Sequence, residues 1–255
     1  IANHKGGTGK TTTAVNLAAA LGERRQRVLV IDLDPQASAS SWLGVREGGS
    51  GLLEALVAEE GGALAHLVRP SCAQGVELIA ASAQLARAER HLAETLGGEQ
   101  VLLDLIGALP RDRWDFLLID CPPALGQLTI NALAAAGEIL VPVEASTMAV
   151  AGLASLVKTV AQARKRLNPG LVIGGIVACR VDARTLLARE VVATLRQMFP
   201  EVALATTIPE SVRLREAWAH GPILLYAPTS SGAQAYRALA SEVSRQEPRH
   251  AAASP

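Results

Sequence analysis

The sequence has few aromatic residues: two Phe, two Tyr and three Trp among 255, or 3%. Hydrophobic residues still make up 49% of it, so the interior has to be assembled from Ala, Leu and Val. Cysteine is scarce too. Cys72, Cys121 and Cys179 are odd in number and widely spaced, which excludes a disulfide framework or a zinc pattern and points to buried thiols in a reducing compartment. Net charge is absent, with 24 basic residues against 24 acidic ones. Whole-chain electrostatics therefore marks no nucleic-acid binder, and any such binding has to come from a local patch completed by dimerisation. Long apolar runs are missing as well. The richest stretch, Ile130 to Val157, is broken by Glu138, Pro142 and Glu144 and makes a poor membrane span. No segment reads as a signal peptide. The chain opens at Ile1 without Met, and the strand expected ahead of the first motif would begin earlier, so a trimmed N-terminus is expected.

What is present starts with Lys5-Gly6-Gly7-Thr8-Gly9-Lys10-Thr11-Thr12. It reads as a phosphate loop of the G-x-x-x-x-G-K-[ST] kind, with a lysine on each side of its glycines. The glycines let backbone N–H groups turn inward around a polyphosphate. Lys10 can reach the β- and γ-phosphates, and the Thr11 hydroxyl can ligate Mg²⁺. The helix that follows aims its positive dipole end at the same anion. Lys5 lies at the mouth of the loop, placed to reach a nucleotide held by another subunit. There it would stabilise charge on the transferring phosphoryl group, as an arginine finger does elsewhere.

Apolar residues at helical spacing, Val15, Leu17, Ala18 and Leu21, predict a helix stopped by Gly22. Strands are expected at Val28–Ile31, Val76–Ala80, Trp114–Asp120, Ile139–Val143, Leu171–Ala178 and Val202–Thr206. Helices are expected at Val101–Leu109, Leu128–Ala136, Val150–Leu167, Leu186–Met198 and Ala233–Ser244. Val45 to Gly98 reads as a variable stretch. This alternation predicts an α/β fold, a doubly wound and mostly parallel sheet with helices on both faces. Ligands of such sheets sit at the carboxyl ends of the strands, beside the phosphate loop. Residues 1–245 are expected to form one phosphate-loop domain, and 246–255 a disordered tail.

The motifs together resemble the ParA/MinD family of ATPases with a deviant phosphate loop, and within it the short Soj-like chromosomal ParA proteins that work with a ParB partner. The resemblance rests on the loop and on VLVIDLDPQ (Val28 to Gln36), LLIDCPP (Leu117 to Pro123), LTINALA (Leu128 to Ala134) and ILVPV (Ile139 to Val143). It continues in TTIPESVRL (Thr206 to Leu214) and APTSSGAQAY (Ala227 to Tyr236), so it spans almost the whole chain in the family's order.

Asp32 and Asp34 stand two residues apart after a buried strand, a spacing that puts both side chains on one side, facing the phosphate site. By resemblance Asp34 positions or activates the attacking water, and Asp32 supports Mg²⁺ through water or orients Thr11. Asp120 ends an apolar strand, where a carboxylate is costly unless it is paired or near a metal. A water-mediated Mg²⁺ contact explains it. Pro209 and Ser211 match family positions against the nucleotide base, although family members often carry Arg-Asn where this chain has Glu210-Ser211. Arg184 matches an arginine of non-specific DNA binding in Soj-like proteins. Arg213 and Arg215 are expected on the same surface, with Arg180, Arg189 and Arg196 as further candidates, since phosphate contacts need charge and reach but no base-reading geometry. Family members often have lysine in place of Pro222, a second departure.

The resemblance implies an ATP-dependent homodimer that binds DNA, hydrolyses ATP on stimulation by a ParB-like partner, and drives chromosome or plasmid segregation in the cytoplasm on the nucleoid. The absence of a residue block before the loop argues against operator binding. A relative that positions another cargo carries the same motifs. A MinD-like membrane ATPase would end in a basic amphipathic helix, and SRQEPRHAAASP, with Pro248 and no apolar face, argues against that reading. An iron–sulfur relative would need cysteines bridging two subunits. A non-hydrolysing scaffold would not need Asp34 and Lys5.

Overall fold

The computed structural model describes residues 1–3, 5–45, 51–58 and 64–245, with 147–151 described in backbone only. The expected disordered tail lies outside the described residues. Among the described residues the strands are β1 (Val28–Asp32), β2 (Arg69–Pro70), β3 (Val76–Ile79), β4 (Phe116–Asp120), β5 (Glu138–Glu144), β6 (Val172–Val181) and β7 (Ala203–Pro209). The helices are α1 (Lys10–Glu23), α2 (Ser38–Trp42), α3 (Leu52–Val57), α4 (Leu64–Leu67), α5 (Ala88–Glu94), α6 (Val101–Gly107), α7 (Gln127–Ala135), α8 (Thr147–Arg166), α9 (Leu186–Met198), α10 (Val212–Glu216), α11 (Ile223–Tyr226) and α12 (Ser231–Arg245).

Strand order is β2-β3-β1-β4 in one half-sheet and β5-β6-β7 in the other. Every pairing is parallel except the short β2–β3 pair. Residues 1–3 lie along the seam between the halves. Ala2 N–H donates to the Leu140 carbonyl at 3.2 Å and Cys121 N–H to the Ile1 carbonyl at 3.4 Å. The Asn3 side chain donates to the Pro142 carbonyl at 2.7 Å.

Period-two alternation divides the interior. On β1, Leu29 and Ile31 join the core beneath α5 to α9, while Val28 and Val30 join the core beneath α1, α11 and α12. Each fully buried Leu or Val contributes about 1.5–3 kcal/mol, so a strand buried on both faces has to be apolar throughout. Helix α1 is buried along nearly its whole length, which explains its alanines.

Gly22 departs from the sequence reading. It does not stop α1, which runs on to Glu23 and turns at Arg25 with φ 63°. A Cβ on Gly22 would lie 2.1 Å from the Gln74 carbonyl oxygen, so glycine is needed there for close approach of the turn before β3. Strands β6 and β7 extend to Val181 and Pro209, three residues beyond the expected ends. The variable stretch contains β2 and the short helices α3 to α5, whose local periodicity is too brief to register.

Candidate functional site

The phosphate loop stands at the carboxyl ends of the strands. Gly7 and Gly9 adopt φ 74° and 93°, conformations that a side chain strains. Gly9 precedes α1 without any side-chain cap, which leaves the helix's first N–H groups pointing outward for an anion. Lys10 is only 7% exposed, and its ammonium donates to the Lys5 carbonyl at 3.2 Å. Burial lowers its pKa, opposed by the charges of Asp120, Cys121 and Asp34.

Asp32 and Asp120 are direct partners in the β1–β4 register, and both are fully buried. Burial pushes both carboxyls up, and Asp32 pushes Asp120 further while the Thr11 hydroxyl acts in the opposite sense. Asp32 Oδ2 accepts from the Ser40 N–H at 2.8 Å and from its hydroxyl at 2.7 Å, and Oδ1 accepts from the Asp34 N–H at 3.1 Å. Its side chain therefore turns to the 34–40 segment instead of sharing Asp34's outlook. Asp34 lines the cavity. One of its oxygens accepts from the Gln36 N–H at 2.9 Å, which leaves the other for a water.

Asp120 has both oxygens buried with no hydrogen-bond partner in good geometry, a costly state. A hydrated divalent cation beside the Thr11 hydroxyl would supply the missing donors. Among the described residues no group of three or more His, Cys, Asp or Glu could hold a metal alone. That suits Mg²⁺, which keeps several waters and takes ligands from substrate phosphates. The residues present thus fit the ion.

A cavity of about 490 Å³ runs from the loop toward the ends of β6 and β7. Its phosphate end holds Gly6, Gly7, Gly9, Lys10, Thr11 and Thr12. Pro209, Glu210, Ser211 and Arg215 line the far end. Ser211 begins α10 without a side-chain capping bond, so its hydroxyl stays free of that duty. Thr8 closes the turn, its hydroxyl donating to the Lys5 carbonyl at 3.3 Å.

Lys5 does not fold back on its own loop. Its ammonium meets Glu144 at 3.1 Å, and the other oxygen of Glu144 meets Arg180 at 3.0 Å. Arg180, held at φ 54°, also reaches Glu210 at 3.7 Å. Arg184 is 89% exposed in its side chain and grips Asp182 with two bonds of 2.8 Å. Arg213 donates to the Tyr226 hydroxyl at 3.1 Å and lies near Glu216. Arg184, Arg213 and Arg215 thus rise after the adjacent strands β6 and β7, while Arg215 also faces the cavity. Sequence reasoning missed Trp42, Cys179 and Trp218 as cavity residues, and it held Leu214 and Tyr236 only as members of the motifs TTIPESVRL and APTSSGAQAY. No local pattern marks the first three, because separate elements bring them together.

Known proteins share this architecture. A family model described as an AAA domain matches residues 1–173. The sporulation initiation inhibitor protein Soj of Bacillus subtilis is 40% identical over 244 residues, covering 95% of this chain and 96% of that protein. The chromosome-partitioning ATPase Soj of Thermus thermophilus is 46% identical over 244 residues, covering 95% and 93%. The structure of cobyrinic acid a,c-diamide synthase from Mycobacterium smegmatis with bound ADP and magnesium is similar, with TM-score 0.81 and 32% identity over 96% of this chain and 92% of that one. The ATP complex of a substituted McdA from Cyanothece gives TM-score 0.83 and 27% identity over 96% and 95%.

Proposed function

The chain belongs to the ParA/Soj family of deviant phosphate-loop ATPases, within the AAA-domain class, and from that premise we propose that it is an ATP-driven dimerisation switch that loads onto DNA and serves chromosome or plasmid segregation. The observation that carries the reading is the outward course of Lys5. Lys10 is committed to the subunit's own loop, whereas Lys5 lies at the mouth in an exposed ion pair with Glu144.

The phosphates of ATP sit against the loop N–H groups, with Lys10 at the β- and γ-phosphates. Thr11 directly and Asp120 through water would hold Mg²⁺, which would neutralise charge on the transferring phosphoryl group, while the Asp32 carboxylate stays engaged with Ser40 and Asp34. The free oxygen of Asp34 orients the attacking water. Two subunits close face to face, and each Lys5 reaches the other's phosphates. The joined surface presents Arg184, Arg213 and Arg215 twice, so DNA affinity rises by multivalency. Hydrolysis, stimulated by a ParB-like partner, removes the γ-phosphate contact and opens the dimer. No helix among the described residues is long and apolar enough to cross a membrane.

Size-exclusion and DNA co-sedimentation with ATP, ADP or no nucleotide test the switch. Wild type is expected to dimerise and bind DNA with ATP alone, Asp34→Ala to remain in that state, and Arg184→Ala to dimerise without DNA. ATP dimers of wild type that ignore DNA would overturn the DNA role.

A further inference from the structure

We propose that Trp218 is the platform on which the nucleotide base stacks, and so sets affinity for the base. This rests on the nucleotide reading above and adds a residue to it. The cavity's phosphate end is fixed by the loop, so a bound nucleotide extends its base toward Ile208, Pro209, Leu214 and Trp218. These four side chains are apolar and suit the faces of a flat aromatic ligand, while Glu210, Ser211 and Arg215 at the same end stand where its polar edge would lie. The chain has three tryptophans, and two of them, Trp42 and Trp218, line this one cavity.

Trp218 is 69% exposed. Its backbone, by contrast, is firmly tethered. His220 and Gly221 each return an N–H to the Ala217 carbonyl at 2.9 Å. The buried Trp42 donates its indole N–H to the Gly221 carbonyl at 2.7 Å. The His220 ring stacks on Tyr226 with centroids 4.5 Å apart and planes 11° from parallel. Ile223 N–H donates to Asn16 Oδ1 at 2.7 Å, and Asn16 belongs to α1, the helix that begins at the phosphate loop. A large apolar ring is thus left open to water on a braced segment, and the helix that positions the phosphates helps to brace it. Such preorganisation lowers the ordering cost of binding. Stacking on a base would cover the exposed ring, and it needs no hydrogen bonds from the wall.

Calorimetric titration of the full chain with Mg-ATP and with base-free Mg-tripolyphosphate separates the two ends of the site. Trp218→Ala should bind ATP roughly tenfold more weakly than wild type, a usual effect of losing one base–aromatic stack. Tripolyphosphate binding should be unchanged, and Trp218→Phe should restore ATP affinity. Unchanged ATP affinity in Trp218→Ala would overturn the proposal, as would equal losses for both ligands. Sedimentation velocity closes a third route. A variant with normal ATP affinity as a monomer but a weakened dimer would assign Trp218 to the partner contact and overturn the base role. Failure of wild type to bind ATP at all would overturn the nucleotide reading itself.

Discussion

The two ends of the cavity are built on different principles. At the phosphate end, function resides in backbone: glycines at positive φ, free N–H groups at the start of α1, and carboxylates delivered by paired buried strands. At the far end it resides in side chains on loops after β6 and β7, where Arg180 pairs with Glu210, and Arg184 with Asp182 and Arg213 with Glu216 lie on the same loops beyond the cavity lining. The first arrangement tolerates little at Gly7 and Gly9, where φ is positive, and at Asp32 and Asp120, which are buried. The second tolerates exchange, because exposed ion pairs are each worth little. In the proposed function the first end carries the chemistry and the second meets the base and the DNA.

The sharpest test of this contrast is Asp34→Ala. Turnover should fall about 10³-fold, the scale of losing a positioned proton acceptor, while the ATP dimer persists. Phosphate-release kinetics check it, and a loss below about tenfold would remove Asp34 from the chemistry. Next in size is Gly9→Ala, at φ 93°. Strain of about 1–3 kcal/mol should lower the thermal midpoint and weaken ATP binding together. Equal stability with normal binding would show that the loop is softer than its geometry implies.

At the other end effects should be smaller. Glu144→Gln removes the anion that holds Lys5, and the ATP dimer should form at roughly threefold lower protein concentration, the scale of one exposed pair. Sedimentation measures this, and a weaker dimer would give Glu144 a direct role in assembly. Arg184→Ala should reduce the slope of log DNA affinity against log salt by about 1. An unchanged slope would exclude it from phosphate contact. Smallest of all is the acid response of Asp182, which Arg184 holds down at about 2. The carboxyl's pKa is depressed on folding, so its stabilisation is complete above the ordinary value of about 3.9. It is lost only as pH falls from there through about 2. Loss of the Arg184 pairing at higher pH, followed by NMR titration, would contradict the geometry.

The same contrast explains what is legible in the sequence. Lys5 to Thr12, Asp34 and Asp120 announce themselves because short-range patterns encode backbone geometry and costly burial. The buried strand β1 is legible as a continuous apolar run, and the parallel sheet follows from the alternation of strand-like and helical segments. Gly22 reads as a helix stop because its need for close approach comes from Gln74, far along the chain. Asp32 reads as a twin of Asp34 because nothing in the spacing shows that Ser40 folds onto its carboxylate. The Lys5–Glu144–Arg180 cluster and the Trp218 wall join residues from opposite ends of the chain, and no local spacing records such meetings.

Glu144 has a further consequence for assembly. Lys5, Arg180, Glu144 and Glu210 form a neutral quartet of two cations and two anions. In the proposed dimer each site exports its own lysine and imports its twin's, because a two-fold interface is self-reciprocal. Assembly is then a swap of identical ions between equivalent sites, and each nucleotide pocket keeps the same tally of charge. Dimerisation should therefore respond weakly to ionic strength, while DNA loading by the same molecule, which releases counterions, should respond steeply. Salt alone would then dissociate the complex from DNA and leave the pair of subunits together.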